Sequence, residues 1–376
     1  IAGVISAAQA VSLEDREIID LTGKFVAPGL IDCYVHLSGN GEENLSAIKP
    51  YWTIGDVTLR CLKHARLSMM GGFTTVRTAG DMGYSAVAAR NYIDKGRLWG
   101  PRILSAGSAL GTTGGHCDSC YNPYITESIS SNALADGPDE LQKALRINVK
   151  YGANCVDFVS TGAVIGRDNR AGVQEMSFDE MKAVCDLAKM HGLATFTHAT
   201  GASGIKDAVR AGVDAVEHGT LMDEEAVQLM QEHGTVLIPA ILSLERLISE
   251  GPGAGIAGWI IEKAGAAFER AQWSFRRCLE AGVPIAFGTD ASSPFNFHGK
   301  QAREFELMVN WGMTPLQALT AATKTAAELL HKSGYVGSLE KGGFADIAAF
   351  EDDPTEDIKA MTKCCFVMKD GVVYKG

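Results

Sequence analysis

Side chains that can bind a metal ion or transfer a proton recur where short apolar runs of the sequence end. The residues concerned are Tyr34, His36, Asp157, His198, His218 and Asp290. Neutral imidazoles and carboxylates are the ligands that Zn²⁺ prefers in proteins. A bound metal lowers the pKa of its water, which makes a nucleophile for hydrolysis near neutral pH. The set therefore predicts a metal-assisted hydrolase.

Each of these residues also has a structural explanation when it is taken alone. A single His at a strand end is more often a hydrogen-bonded structural residue than a ligand, and Asp290 is suited to cap the segment that follows it. Asp157 is harder to explain, because an unpaired carboxylate in an apolar strand is costly to bury. The joint occurrence of the whole set favours a functional site.

A repeated helix-to-strand junction must position these residues. A helical stretch ends at a glycine and an apolar strand follows at once, at Gly72, Gly100, Gly152, Gly192, Gly212, Gly234 and Gly282. With GLIDCYVHL at the front, eight strands alternate with helices, which predicts a (β/α)8 TIM barrel over roughly residues 28–335. Catalytic residues of such barrels lie at the carboxyl ends of the strands. The rival fold, an open doubly wound sheet, lacks its Gly-rich dinucleotide turn here.

Two of the intervening helices carry clear start signals. SFDE, from Ser177 to Glu180, has the spacing of a capping box before MKAVCDLAKM. TPLQALTAATKTAAELL places Thr314 as the N-cap and Pro315 at the first helical position. Both patterns support the alternation of helices with strands.

The two ends of the chain have β character instead. VGSLEKGGFADIAAFEDDP and KCCFVMKDGVVYKG are short alternating strands joined by Gly and Asp turns, and the segment ending REIIDLTGKFVAPG is similar. We therefore predict a small accessory β domain from residues 1–26 plus 337–376, beside a catalytic barrel of residues 27–336.

Composition narrows the classes of partner. The 376 residues carry a net charge of −11, which argues against nucleic acid because phosphate binding needs a basic face. No run of 18 apolar residues is present, so we predict no membrane span. Nine cysteines scattered through a long chain are typical of reduced thiols, which predicts a cytoplasmic protein.

Taken together, these motifs resemble the amidohydrolase superfamily, in its imidazolonepropionase-like and Xaa-Pro dipeptidase-like branch. The stretches that carry the resemblance, in order, are GKFVAPGLIDCYVHL, GFTTVRTAG, TGGHCD, THATGASGIKDAVRAGVDAVEHGT, FGTDA, TPLQALTAAT and VGSLEKGGFADIAAF. The resemblance implies a (β/α)8 barrel with a small β-sandwich built from both termini. It also implies hydrolysis of a small amide, such as an N-acyl amino acid, a dipeptide or a cyclic amide, by a homo-oligomeric enzyme.

The resemblance further implies which residues bind metal and substrate. His36, His198, His218 and Asp290 match the family's metal ligands, and Asp290 also matches its proton shuttle. His116, in TGGH, matches the rim of the active site and is expected to contact the substrate. Thr200 takes the place of a polar ring found in related branches, and Arg77, at the end of strand two, is a candidate for an anionic substrate group.

Two positions depart from the family pattern. Tyr34 stands where the first His of a His-x-His pair belongs, and Asp157 stands where a carboxylated Lys bridges two metal ions. Both missing groups serve the same metal pair, so a two-metal site is disfavoured. We expect one Zn²⁺, with His198, His218 and a carboxylate from Asp157 or Asp290 as ligands and with His36 as a further ligand or a substrate contact. Asp290 would pass the proton of the water to the leaving amine.

Two alternatives remain open. The first is a metal-free lyase or isomerase, in which Tyr34, the imidazoles and the carboxylates catalyse dehydration, decarboxylation or cyclisation. The second is a binding or regulatory protein whose catalytic pocket has decayed. Retention of His36, His198, His218 and Asp290 argues against the second, since free decay would not spare these residues selectively.

Overall fold

The computed structural model describes residues 1–4, 18–42, 48, 51–118, 132–164 and 171–376. Its strands are β1 (Phe25–Pro28), β2 (Leu30–Val35), β3 (Phe73–Thr78), β4 (Arg102–Ser105), β5 (Ala109–Gly111), β6 (Asn132–Leu134), β7 (Val156–Val159), β8 (Thr195–Gly201), β9 (Ala215–Leu221), β10 (Val236–Ile238), β11 (Ile347–Phe350), β12 (Cys364–Lys369) and β13 (Val372–Lys375). The helices are Ile54–Met70, Ser85–Asp94, Pro138–Lys150, Phe178–Met190, Ala202–Ala211, Glu224–His233, Ile241–Glu250, Gly258–Ala281, Arg303–Asn310, Pro315–Thr320 and Ala326–Leu329. Three short turns of other helix types are Met82–Tyr84, Ala321–Thr325 and Ile358–Thr362.

Two parallel sheets form the predicted barrel. One has the order β2-β3-β4, and the other has the order β10-β9-β8-β7-β5-β6. The third barrel strand is interrupted between β4 and β5, and Asn154 N–H donates to the Ser105 carbonyl at 2.9 Å, which joins the two sheets. The (β/α)8 barrel is confirmed.

The eighth barrel strand is present but irregular, since its pairing with β10 is an isolated bridge between Leu237 and Ile285. The segment around Phe287 closes the barrel, because Cys33 N–H donates to the Phe287 carbonyl and Ala286 N–H donates to the Leu237 carbonyl, both at 2.9 Å. The Phe287 N–H, however, donates to the carbonyl of Ala321 at 3.0 Å. Ala321 begins a π-helical turn, Ala321–Thr325, and one strand hydrogen bond is therefore exchanged for a bond to a helix.

The predicted helix signals are confirmed with one exception. Ser177 and Thr314 are N-caps with complete capping boxes. Gly212 and Gly282 end their helices with φ of 97° and 77°. Gly100 does not end a helix, because the helix before it stops at Asp94 and Gly96 takes the positive φ instead.

The described parts of both termini join in one antiparallel sheet of order β1-β11-β12-β13. This sheet is the β-sandwich component that the resemblance implies. Gly29 N–H donates to the Asp346 carbonyl at 2.8 Å, where β1 leads into the barrel. The division into residues 1–26 plus 337–376 and 27–336 stays a prediction, and residues 5–17 of the first part and 43–47, 49–50, 119–131 and 165–170 of the second lie outside the described residues.

Apolar side chains fill the barrel interior and the layer between barrel and helices. The interior cluster includes Ile31, Phe196, Ala215, Ile238 and Ala286, all fully buried. No helix within the described ranges is long and apolar enough to cross a membrane.

Candidate active site

A cavity of about 450 Å³ lies at the carboxyl ends of the barrel strands. Its lining includes Tyr34, His36, His116, Asp157, His198, Thr200, His218 and Asp290. The structure therefore brings together all the predicted site residues except Arg77. Apolar side chains, among them Met82, Val159 and Leu244, complete the wall.

Two of the site residues have a left-handed backbone. His218 has φ of 67° and Asp290 has φ of 54°, values that cost free energy for residues other than glycine. The Asp290 segment is held in place by two bonds, since Asp290 N–H donates to the Tyr34 carbonyl at 2.8 Å and Asn296 Nδ2 donates to the Asp290 carbonyl at 3.0 Å. These turns direct both side chains into the cavity lining.

His36 and Asp290 form a proton-sharing pair. The Nδ1–H of His36 donates to the Ala79 carbonyl at 2.5 Å, so Nε2 is the ring nitrogen that is free to exchange a proton. Nε2 lies 3.3 Å from Asp290 Oδ1. Burial lowers the pKa of His36, but the bond to Asp290 outweighs it and the pKa is raised overall. A proton on His36 Nε2 is therefore stabilised by the neighbouring Asp290 side chain.

Tyr34 and His218 form a second pair in the cavity. The Tyr34 hydroxyl lies 3.2 Å from His218 Nε2. Burial raises the pKa of Tyr34 well above its usual range, and burial lowers the pKa of His218. The phenol therefore keeps its proton, and we assign its O–H as the hydrogen-bond donor to Nε2 of the neutral imidazole.

His198 carries a donor or acceptor atom that no group within the described residues satisfies. Its Nε2 is buried and has no hydrogen-bond partner. Burial, reinforced by His116 and His218, lowers the pKa of His198 well below its usual range, so the ring is neutral. The His116 ring stacks on it with centroids 4.6 Å apart. An open, neutral ring nitrogen at a cavity wall is suited to a ligand or a substrate polar group.

Thr200, in contrast, has its hydroxyl committed to the backbone. Its Oγ1 donates to the Gly162 carbonyl at 2.5 Å, and its N–H donates to Thr161 Oγ1 at 2.8 Å. Thr200 therefore forms part of the cavity wall, and its hydroxyl proton is engaged with the Gly162 carbonyl, so it is not available to a substrate.

Arg77 does not lie at the cavity wall, which corrects the expectation that it binds an anionic substrate group. The guanidinium is fully buried beneath the cavity, where it pairs with Glu217 and with Asp157 at 3.2 Å. It also lies 3.9 Å above the Phe196 ring. The physical reason is that the two buried carboxyl groups need a cation in the same interior.

Glu217 was not among the predicted site residues. It is fully buried, and burial raises its pKa to about 8 against the opposing pull of Arg77. Burial likewise raises the pKa of Asp157 against the same pull. The sequence signal was available, because Glu217 directly precedes His218 in an otherwise apolar strand.

Asp32 is a second supporting residue that sequence reasoning missed. Its Oδ2 accepts from Thr289 Oγ1 at 2.7 Å and from Gln301 Nε2 at 2.9 Å, and its Oδ1 accepts from Tyr34 N–H at 3.1 Å. Burial raises the pKa of Asp32 to about 7, opposed by the bonds from Thr289 and Gln301. One carboxyl group therefore ties the backbone of Tyr34 to the segment that carries Asp290.

The donor atoms, as arranged, do not fit a bound metal ion. Across the described residues, no group of three His, Cys, Asp or Glu side chains is placed to hold one. His218 Nε2 faces the Tyr34 hydroxyl, His36 Nε2 faces Asp290, and Asp157 pairs with Arg77. One donor atom that remains open among the described residues is His198 Nε2.

A family model described as the amidohydrolase family matches residues 25–375 of this chain. Among characterised relatives, ochratoxinase of Aspergillus niger is 30% identical over 375 residues, covering 93% of this chain and 75% of its own. Imidazolonepropionase of Geobacillus kaustophilus is 24% identical over 360 residues, covering 90% of this chain and 77% of its own.

Two solved structures superpose on this chain over nearly its whole length. A Xaa-Pro dipeptidase with methionine bound in its active site has a TM-score of 0.90 and 35% identity, covering 98% of this chain and 91% of its own. A prolidase complexed with N-methylphosphonate-L-proline has a TM-score of 0.88 and 29% identity, with the same coverage of 98% and 91%.

Proposed function

Because the chain belongs to the amidohydrolase family and is a hydrolase acting on C–N bonds, we propose that it cleaves the amide or cyclic amide bond of a small molecule such as an N-acyl amino acid or a dipeptide. The similar structures bind methionine in one case and a proline derivative in the other, which supports an amino-acid product. A cavity of about 450 Å³ suits a substrate of that size.

The His36–Asp290 pair is the observation that carries the proposal. Either atom of the pair can take a proton from water as the water oxygen attacks the carbonyl carbon. The same proton is then delivered to the amide nitrogen as the C–N bond breaks, which releases an amine and a carboxylic acid. The bond from His36 to the Ala79 carbonyl fixes the tautomer that this transfer needs.

Tyr34 supplies the second function, stabilisation of the negative charge on the carbonyl oxygen. Its hydroxyl remains protonated, lines the cavity and now donates to His218. A substrate oxygen at this position would receive the same hydrogen bond, strengthened as the charge develops. His198 Nε2, which is buried without a partner, offers a further polar contact.

Amidohydrolases generally use a divalent metal ion, often zinc or iron. When bound, such an ion polarises a carbonyl and lowers the pKa of water. As arranged, the described side chains do not hold such an ion, and binding of one Zn²⁺ would require His218 to release the Tyr34 hydroxyl and join the open His198 Nε2. Family membership favours hydrolysis over the lyase or isomerase alternative. A metal-free hydrolysis is also a candidate, because Arg77 already neutralises Asp157.

Homo-oligomeric assembly and a cytoplasmic location stay predictions.

The decisive experiment combines a substrate panel with metal analysis of the purified protein. N-acyl amino acids, dipeptides and cyclic amides are incubated with the enzyme, and released amino acids are quantified by chromatography. We expect release from at least one class and its loss in Asp290→Asn, with Asp352→Asn, an exposed carboxylate, as the control. Absence of release from every class, with and without added Zn²⁺, would contradict the proposal. Activity that persists after chelation would assign the hydrolysis to the metal-free route.

A further inference from the structure

A second concave site lies at the opposite end of the barrel from the active-site cavity. It is a groove of about 1280 Å³ between the end of helix Ser85–Asp94, the start of β4 and the terminal sheet. The cationic side chains in its lining are Arg66, Arg90, Arg97, Arg102, Lys332 and Lys369. The carboxylates in the same lining are Asp94 and Asp370. In a protein of net charge −11, this groove has a local excess of positive charge.

Four of these cations have no carboxylate partner. Arg102 pairs with Asp346 and Asp370, and Lys369 pairs with Asp370. Arg66, Arg90, Arg97 and Lys332 form no ion pair with any carboxylate of the described residues. Their positive charge is therefore left for water or for a ligand.

Backbone contacts fix two of the unpaired arginines. Arg66 Nε donates to the Trp99 carbonyl at 3.0 Å, and Arg90 Nη2 donates to the Gly152 carbonyl at 2.8 Å. Carbonyl partners hold a guanidinium in place without cancelling its charge. Arg90 Nη1 is also buried and has no hydrogen-bond partner in the part of the chain that the structure describes, so a donor in the groove lining remains unsatisfied.

Aromatic rings lie beside these cations. The Trp99 ring stacks on Tyr374 with centroids 5.9 Å apart, and the Arg66 guanidinium lies 4.3 Å above Trp99. Phe344 lies under Arg102, at 4.5 Å from the guanidinium. The groove thus combines unpaired guanidinium groups with planar apolar surfaces.

We propose that this groove binds a polyphosphate anion, either free or as the phosphate chain of a nucleotide. Guanidinium groups bind phosphate oxygens in pairs of parallel hydrogen bonds, which suits several arginines lining one groove. The phosphate charge would be neutralised by Arg66, Arg90, Arg97 and Lys332, and a nucleobase would contact the part of the Trp99 ring, 38% exposed, that Arg66 and Tyr374 leave open. The site is independent of the hydrolytic cavity, because the groove is lined by Arg102, the first residue of β4, whereas the cavity lies beyond the last residues of the strands.

Binding is measured on the full chain with inorganic tripolyphosphate and with a nucleoside triphosphate as probes. Tryptophan fluorescence reports on Trp99, and a Trp99→Phe variant assigns the signal among the five tryptophans. Isothermal titration provides a second readout. We expect saturable binding that weakens with salt and falls at least fivefold in Arg97→Gln and in Lys332→Gln. Arg210→Gln, an exposed arginine outside the groove, is the matched control and should leave the affinity unchanged.

The two probes separate the sources of the phosphate group. Equal affinity for both probes supports a free polyphosphate, and tighter nucleotide binding that Trp99→Ala removes supports a nucleotide. Failure of both probes to bind at millimolar concentration overturns the proposal. Binding that Arg97→Gln and Lys332→Gln leave unchanged also overturns it. Thermal unfolding verifies that each variant is folded, which is expected because Arg97 is exposed and Lys332 is half-buried.

Discussion

At the scale of single residues, the site depends on where protons are held. Asp290 faces His36 Nε2 at 3.3 Å, and Tyr34 donates to His218 at 3.2 Å. The first pair can accept and release a proton, whereas the second keeps a neutral donor in place. This division assigns proton transfer to Asp290 with His36 and charge stabilisation to Tyr34.

Replacement of Asp290 by Asn should lower kcat by about 10²–10⁴-fold, because an amide can neither accept the proton of water nor return it to the leaving nitrogen. The measurement is the initial rate of amine release at saturating substrate. KM should change little, since the replacement keeps the shape of the side chain. A variant with near-normal kcat would remove Asp290 from the proton-transfer role.

Tyr34→Phe should tighten Zn²⁺ binding while it slows hydrolysis. The phenylalanine ring fills the same space but no longer donates to His218 Nε2, so a second open imidazole nitrogen joins that of His198. Isothermal titration with Zn²⁺ measures the first effect without reference to activity. Tyr84→Phe, a half-buried tyrosine bonded to Asn148, is a control that should leave Zn²⁺ affinity unchanged.

The sequence predicted which residues share the cavity, but it did not predict their pairing. Tyr34, His36, His198, His218 and Asp290 were recognisable because polar residues at the ends of apolar strands meet at one end of a barrel. The partner of Asp157 could not be recognised from the sequence. Arg77 and Asp157 lie on strands far apart in the chain and meet only inside the closed barrel. The tautomer of His36 likewise depends on a carbonyl 43 residues away, which no local pattern encodes.

At the scale of elements, the Arg77 group links three barrel strands. Arg77 lies on β3, Asp157 on β7 and Glu217 on β9. The interior of the barrel therefore contains a cation held between two carboxyl groups rather than apolar side chains alone. Removal of one member of such a buried triad is costly, because the remaining ionisable groups are left uncompensated in an apolar interior.

Arg77→Met should lower the free energy of unfolding by about 3–5 kcal/mol at pH 7.5. Glu217 and Asp157, left without the cation, would have pKa values raised further above those of the unfolded chain. Such groups bind more protons in the folded state, so the deficit should shrink as the pH falls. Urea denaturation at pH 7.5 and pH 5.5 measures both effects. Arg277→Met, which breaks an exposed pair, is the control and should cost little.

Two buried histidines tie down the loop that follows His36. His64 Nδ1 donates to the Leu37 carbonyl at 2.7 Å, and His298 Nε2 donates to the Gly39 carbonyl at 3.1 Å. The two rings stack with centroids 5.1 Å apart. Burial lowers the pKa of His64 to about 4 and that of His298 to about 3.

These lowered pKa values predict acid destabilisation. The unfolded chain protonates both rings near pH 6.5, whereas the folded protein resists until about pH 4 and pH 3. Their contribution is therefore complete above pH 6.5 and is lost as the pH falls, by about 2 kcal/mol for each histidine at pH 5. Urea denaturation from pH 7.5 to pH 5 measures the slope. His298→Asn, which keeps a donor but does not titrate, should flatten it, and an unchanged slope would contradict the assignment.

Strand eight shows that the position of an element along the chain can be predicted when its hydrogen-bonding pattern cannot. AGVPIAFGTD was recognised as the eighth strand, and the segment does close the barrel against β2 and β10. In this segment the Phe287 N–H donates to the first carbonyl of the π-helical turn at Ala321–Thr325 and not to a neighbouring strand. Nothing in the local sequence of either segment indicates that exchange, because it depends on how the last barrel helix packs against the strand.

At the scale of the whole molecule, the terminal sheet and the barrel are joined by charged groups. Arg102 opens barrel strand β4, and its guanidinium pairs with Asp346 at 2.7 Å and Asp370 at 2.8 Å in the terminal sheet. Asp346 is almost fully buried, and its Oδ1 also accepts from the Asp370 N–H at 2.9 Å. The junction therefore contains a largely buried ion-pair network between the two parts, and we expect them to unfold together.

Arg102→Gln tests that coupling. The glutamine cannot neutralise the buried Asp346, and loss of a hydrogen bond to a charged group should lower the free energy of unfolding by about 1.5–3 kcal/mol. Because Asp346 and Arg102 belong to different parts of the fold, a single cooperative transition at lower denaturant is expected if the two parts form one unit. The measurement is urea denaturation followed by circular dichroism and by tryptophan fluorescence.

If the circular-dichroism and fluorescence transitions coincide in both the parent and the variant, barrel and terminal sheet form one cooperative unit. Two separated transitions would show that barrel and terminal sheet are stable independently. Asp346→Asn in the same background should restore part of the loss, because the uncompensated charge at the junction is then removed.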